Sequence, residues 1–183
     1  MNNMHKIIVS FLALLVVPFS SNGFITPFDN AAAAYGGAED CVGCKAYACM
    51  DARDAHCGKS GYLLGYGKPN CDRFNSKEIY DRFNRIGKKF VNCTEFCLIN
   101  FMERYLMEHK SEGIDCGQVK VVGFRSHPRC YLKCGFCEVC KTNKWALLGG
   151  YRLSDFLSLE ALRQVVAVMR KCGVFNCLLG NTQ

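Results

Sequence analysis

The strongest constraint on this chain is its cysteines, 14 among 183 residues and all of them beyond residue 40. Two pairs, Cys93/Cys97 and Cys130/Cys134, share an i, i+4 spacing. On a helix such positions lie on one face, a turn apart. If the two segments are helices packed antiparallel, Cys97 meets Cys130 and Cys93 meets Cys134, forming a two-rung ladder. The even count permits every cysteine to pair.

The opening residues bear on whether those sulfurs oxidise. Lys6 precedes the mostly apolar run Ile7–Val17, and Pro18 with Ser21-Asn22-Gly23 follows. A basic start, a short apolar core and small residues after it are the marks of a secretory signal, expected over residues 1–23. The run is shorter than the roughly 20 residues of a membrane span, and no later stretch is longer, so a soluble extracellular protein is expected. Its removal leaves about 160 residues, enough for one domain with a core of its own. Cysteine then makes up about 9% of the chain, the range of secreted disulfide scaffolds. The net charge of +7 falls by one with Lys6, and the remaining excess is spread along the chain. That suits a solvated surface with at most weak attraction to anionic glycans or membrane surfaces.

Residues 24–40, with Ala31–Ala34 and Gly36-Gly37, read as a flexible arm. Cys41, Cys44, Cys49, Cys57 and Cys71 then form a dense module. Gly58, Gly61, Gly65, Gly67 and Pro69 mark it as loop held by crosslinks. Asn75-Ser76 can cap a helix in which Ile79, Phe83, Ile86 and Phe90 follow the helical period. The stretch Gly87–Cys97 lies at the junction with a second expected helix, Thr94 to about His109, with Leu98, Met102 and Leu106 beside the Cys97–Phe101–Tyr105 face. Ser111-Glu112-Gly113 ends it. Gln118–Phe124 suits helix or strand equally. Pro128 fits the first turn of a new helix bearing Cys130, Cys134, Cys137 and Cys140. The last helix is capped at Ser158, turns Leu159, Leu162, Val166 and Met169 inward, and stops at Gly173 after Arg170 and Lys171. The expected fold is all-α: a disulfide-stapled helical domain over 41–177, a loop-rich N-terminal cysteine module and a short tail at 178–183.

Few side chains suggest chemistry. Cys134-Gly135-Phe136-Cys137 has the form of a thiol-disulfide redox motif, but the strand-helix-strand frame such a motif uses is missing. The run Cys130, Cys134, Cys137, Cys140 has spacing that would hold zinc or an iron–sulfur cluster, whereas an oxidising route favours bridges. His56, His109 and His127 lack neighbours that would make a catalytic set. Asp54-Ala55-His56-Cys57 lacks the His-Asp pair and calcium loop of a secreted phospholipase. No enzyme activity, cofactor or metal is expected. Arg125, Arg129 and Lys133 could form a sulfated-glycan patch or an ordinary solvated face. Asn92-Cys93-Thr94 is the sole N-glycosylation sequon, at Asn92, and is weakened if Cys93 is bridged early.

The chain resembles the stanniocalcins, secreted disulfide-bonded glycoprotein hormones. The resemblance rests on Gly43-Cys44-Lys45-Ala46-Tyr47-Ala48-Cys49 and on Gly87-Lys88-Lys89-Phe90-Val91 leading to Cys97. It extends through Cys116, Cys130, Cys137 and Cys172 at spacings of 14, 7 and 35. It implies the pairs Cys41–Cys49, Cys44–Cys71, Cys57–Cys116, Cys97–Cys130 and Cys137–Cys172. Cys93, Cys134, Cys140 and Cys177 have no family counterpart; helix geometry pairs Cys93 with Cys134 and leaves Cys140 with Cys177 by exclusion. The chain departs from the family in its short Cys41-to-Cys44 gap, in having Met50-Asp51-Ala52-Arg53 where the family has a sequon, and in its length. Stanniocalcins continue well past the position of Cys172 and join two subunits through a later cysteine; here 11 residues follow it. A covalent homodimer would then fall to Cys177, leaving Cys140 unpaired. The resemblance implies a hormone-like role in calcium and phosphate balance, and extracellular protein partners: a receptor or a pappalysin-type metalloprotease. The alternative is a secreted cysteine-rich effector or toxin acting on a foreign target. Nucleic-acid binding is not expected.

Overall fold

The computed structural model describes residues 41–151 and 159–179. The expected signal at 1–23, the arm at 24–40, the Ser158 cap and residues 180–183 of the expected 178–183 tail lie outside the described residues; the first two residues of that tail instead close the last helix. Every regular element among the described residues is helical. The all-α fold is therefore as expected.

The first cysteine module is more helical than its glycines suggest. Helix α1, Ala46–Met50, runs on into a π-helical turn, Asp51–Ala55. A second π-helical turn, Leu63–Gly67, leads into α2, Lys68–Phe74, which carries its proline in the first turn. Between them the buried Asp51 carboxylate accepts from the backbone N–H groups of Cys57 at 3.0 Å and Gly58 at 3.1 Å. Several glycines make room for rings. A Cβ on Gly67 would lie 2.7 Å from the Tyr47 ring, and one on Gly123 would lie 2.5 Å from Tyr62. These glycines mark close packing.

The single helix expected after Asn75-Ser76 is broken. Short α3, Lys77–Tyr80, ends, and α4 runs from Arg85 to His109, 25 residues without interruption. The boundary lies at Asn84 because its side-chain oxygen caps α4, accepting from the N–H groups of Ile86 and Gly87 at 3.0 Å each. Buried Asn143 fixes this cap: its amide nitrogen donates to Asn84 Oδ1 at 2.9 Å, and its oxygen accepts the Asn84 N–H at 2.8 Å. Ile79, Phe83 and Phe90 are buried, but Ile86 is 42% exposed because it belongs to a helix with a new phase. Gly87–Cys97 is thus mid-helix rather than a junction, and Leu98, Met102 and Leu106 are buried along it.

Helix α5, Cys116–Lys133, is capped by Asp115, whose carboxylate accepts from the Gln118 N–H at 2.7 Å. It decides residues 118–124 as helix. It also corrects the place of Pro128, which lies inside α5 and starts nothing. Proline has no N–H for the carbonyl four residues back. That carbonyl belongs to Phe124, and His127 bonds to it locally, with its Nδ1 also 2.9 Å from the Gly123 carbonyl. A turn at Cys134–Gly135 separates α5 from α6, Phe136–Thr142, so Cys137 and Cys140 lie on a different helix from Cys130. Next come α7, Lys144–Gly150, α8, Leu159–Cys172, and α9, Val174–Leu179. On α8 Val168 and Cys172 are buried and Val166 and Met169 are partly covered, while the side chains of Leu159 and Leu162 lie outside the described residues. One core packs α1 and the π-turns against the distal half of α4 and the start of α5. A second joins Ile79, Phe83 and Phe90 to α6, α7, α8 and α9.

Because Asn84 and Asn143 serve each other, Asn84→Ala both uncaps α4 and removes one acceptor of the buried Asn143 amide, which keeps its bonds to the residue-84 N–H and to Thr142 Oγ1. We expect a loss of about 2 kcal/mol in urea unfolding. Asn143→Ala should cost a similar amount, and the double variant clearly less than the sum.

Candidate functional site

Seven bridges close within the chain: Cys41–Cys49, Cys44–Cys71, Cys57–Cys116, Cys93–Cys134, Cys97–Cys130, Cys137–Cys172 and Cys140–Cys177. Their Cα–Cα separations run from 4.9 to 5.9 Å, ordinary disulfide geometry. Cys93 and Cys97 stand one turn apart on α4 and face Cys134 and Cys130 at the end of α5. That is the antiparallel ladder. Cys177 is held by Cys140 and no cysteine is free. Cys134 and Cys137 bond to different helices, so they do not act as one dithiol pair.

The ladder turns the neighbouring faces of α4 and α5 towards a cavity of about 60 Å³ at the seam between the two cores. Phe90, Thr94, Glu95 and Leu98 reach it from α4, and His127 and Tyr131 from α5. Tyr47, Tyr62 and Tyr66 close it from the first module, while Phe74 and Tyr151 approach from the second core. The lining rings pack in series: Tyr66 and His127 lie 5.9 Å apart between centroids, His127 and Tyr131 5.6 Å, and Tyr131 and Phe90 5.7 Å. The Tyr131 and Tyr151 hydroxyls are joined at 2.9 Å. In contrast, the Tyr62 hydroxyl and Thr94 Oγ1 are buried with no hydrogen-bond partner. Leaving such groups unpaired costs about 1–3 kcal/mol each.

Charge enters this wall through Glu95, half-buried beside the rim. Its Oε2 accepts from the exposed Asn75 amide at 2.7 Å. Burial raises its carboxyl above the usual range, against the Asn75 hydrogen bond, and nearby Asp72 raises it further. No lysine or arginine lies within ion-pair distance of it among the described residues. Ligand-type atoms of Glu95, Cys44 and Cys71 gather within 4.8 Å, but the two sulfurs are bonded to each other and offer no thiolate.

The remaining sequence candidates are separate from this cavity. Arg125, Arg129 and Lys133 form one exposed stripe on α5. Burial, then the charge of Arg104, lowers the Arg129 guanidinium from its usual value. Asn92 is exposed midway along α4, its side-chain oxygen accepting from the Tyr80 hydroxyl at 3.1 Å, and the next residue is bridged Cys93. No helix among the described residues is long and apolar enough to cross a membrane. No protein-family model, curated protein or solved structure matches this chain.

Sequence reasoning missed the cavity. Its tyrosines lie at positions 47, 62, 66, 131 and 151, too far apart for any local pattern. The available signal was compositional: eight tyrosines against one tryptophan. Aromatic rings with a polar tip are the side chains that line a half-wet hollow.

Burial holds His127 neutral, depressing its pKa from 6.5 to about 4 against the backbone hydrogen bonds that favour charge. The unfolded chain takes up this proton below about pH 6.5 while the folded chain refuses it. The stabilisation is present above that pH and is lost as pH falls towards 4, roughly 3 kcal/mol in all. NMR of the ring protons should show His127 titrating near pH 4. His127→Gln should remove this part of the acid destabilisation in urea melts.

Proposed function

We propose that this chain is a secreted signalling protein of stanniocalcin-like build that acts by binding extracellular proteins and not by catalysis. The observation that supports it is the crosslink pattern: the five pairs implied by the resemblance close within one helical chain, together with two more. Many disulfides fit an oxidising, extracellular setting. Disulfides limit the freedom of the unfolded chain, and a pre-set surface loses less entropy on binding. The partner in this reading is a receptor or a pappalysin-type metalloprotease, and the physiological setting is calcium and phosphate balance. Asn92 is the glycosylation site of this proposal, used before the Cys93–Cys134 bridge closes.

The closed Cys140–Cys177 bridge favours one alternative, a monomeric secreted effector or toxin that uses the scaffold against a foreign target. With every cysteine paired internally, a covalent dimer would require one bridge to open.

The first test is the mass of the secreted protein with and without reductant, followed by disulfide mapping and a pappalysin-type inhibition assay. The expected result is a monomer bearing the seven pairs that slows the protease saturably. A monomer with no effect on the protease would move the effector reading ahead. A different partner for Cys97 would remove the basis of the family resemblance.

A further inference from the structure

One side of α5 gathers positive charge that neither the crosslinks nor the cores use. The helix carries Lys120, Arg125, Arg129 and Lys133 and has no aspartate or glutamate in its 18 residues. Arg125, Arg129 and Lys133 stand at i, i+4 and i+8, so they form one stripe with steps of about 6 Å along the axis. All three are exposed. Neither Arg125 nor Lys133 makes an ion pair among the described residues. Arg104, partly buried on α4, brings another guanidinium close enough for its charge to act on Arg129. Like charges gathered in this way repel one another, and a bound anion relieves the repulsion.

The shape of the row narrows the partner. Cations spread over about 12 Å in regular steps suit a linear polyanion, whereas a single small anion would meet only one or two of them. Guanidinium forks donate paired hydrogen bonds to oxyanions, and lysine adds a point charge. A bilayer is a poorer fit. The large apolar residues exposed on α5 are Val121 at 37% and Leu132 at 36%, too little apolar area beside the row to enter lipid. A single-stranded nucleic acid would need exposed rings on which to stack its bases. The rings of α5 are turned inward, with Phe124 and His127 buried and Tyr131 packed on Phe90 and Phe136.

We propose that the row of Arg125, Arg129 and Lys133, with Arg104 beside it, is a docking surface for a sulfated polysaccharide chain lying along α5. Its sulfates would occupy successive positions on the row, and the crosslinked α5 would keep the cations in register. The row's chemistry does not depend on the identity of the protein partner.

The test titrates the oxidised full chain with a heparin octasaccharide and with the same octasaccharide after desulfation, followed by amide NMR shifts. The sulfated probe should give saturable shifts centred on residues 121–133, with an affinity at least about tenfold above that of the desulfated one and falling as salt rises. Reversing two charges of the row, Arg125→Glu with Lys133→Glu, should weaken the sulfated probe by at least about tenfold. Reversing two exposed lysines elsewhere, Lys59→Glu with Lys77→Glu, changes the net charge equally and should leave the affinity within about twofold. Arg125→Gln with Lys133→Gln should weaken binding several-fold, so the test survives if the reversed form fails to fold. Equal affinity for the two octasaccharides would overturn the proposal, as would an equal loss in the two charge-reversed pairs. Wild-type affinity in the folded Gln pair would overturn it too. Binding to phosphatidylserine vesicles through the same residues, with no saturable response to the sulfated probe, would give the row to a lipid surface and overturn it. None of these results bears on protease inhibition, so the proposal and the signalling role fail separately.

Discussion

The fold depends on the pair of bridges that joins α4 to the end of α5. One disulfide between two helices leaves rotation about the link. Two, a turn apart on each helix, fix both the axial register and the facing sides. Their energetic worth is less than the sum of two independent crosslinks. Cys97–Cys130 alone closes a loop with a sequence separation of 33, worth about 3–4 kcal/mol in the chain-entropy picture. Once it is closed, Cys93–Cys134 closes only a small ring, roughly 2.5 kcal/mol. The second rung therefore contributes more to geometry than to stability.

That geometry decides what the adjacent faces do. With Cys93 and Cys97 turned to α5, Phe90, Thr94 and Leu98 must face the seam. With Cys130 and Cys134 turned to α4, His127 and Tyr131 meet them there. The two cores join across this seam without filling it. Rings from both sides pack tightly along its walls, yet two hydroxyls remain unpaired and a carboxylate is partly stripped of water. Packed interiors normally satisfy buried polar groups. The seam departs from that rule at Tyr62 and Thr94, and the crosslinks let the chain tolerate its cost.

The ladder was legible because it rests on local periodicity: four residues on one helix, four on another. The distal face of α4 and the Gly173 stop were legible for the same reason. What stayed hidden was set by distant residues. The start of α4 is fixed by Asn143, 59 positions away, so no local capping rule could place it. Pro128 reads as a helix start in isolation; in the fold, the His127 ring takes up a backbone carbonyl and the helix continues. The first module reads as loop because its glycines look like turn formers, and only the approach of Tyr47 and Tyr62 shows that they serve packing. The cavity follows the same rule, being assembled from residues 47 to 151 with no trace in any window.

The C-terminal helices show how far the crosslinks replace hydrophobic area. Helices α6 and α9 have 7 and 6 residues, too short to persist alone in water. Cys137 and Cys140 lie i, i+3 on α6, so they present two sulfurs on one side, and each holds a different helix: Cys137 takes α8 and Cys140 takes α9. Val139 packs between them into the second core, with Val168 opposite. Short helices held in this way keep their exposed residues in place. Phe175 on α9 is 72% exposed and Trp145 on α7 is 56% exposed, both on crosslinked or tightly packed elements. A large apolar side chain that is exposed yet held on a fixed backbone loses little further freedom when a partner covers it. The same bridges that compensate for a small core thus also hold exposed apolar side chains in place.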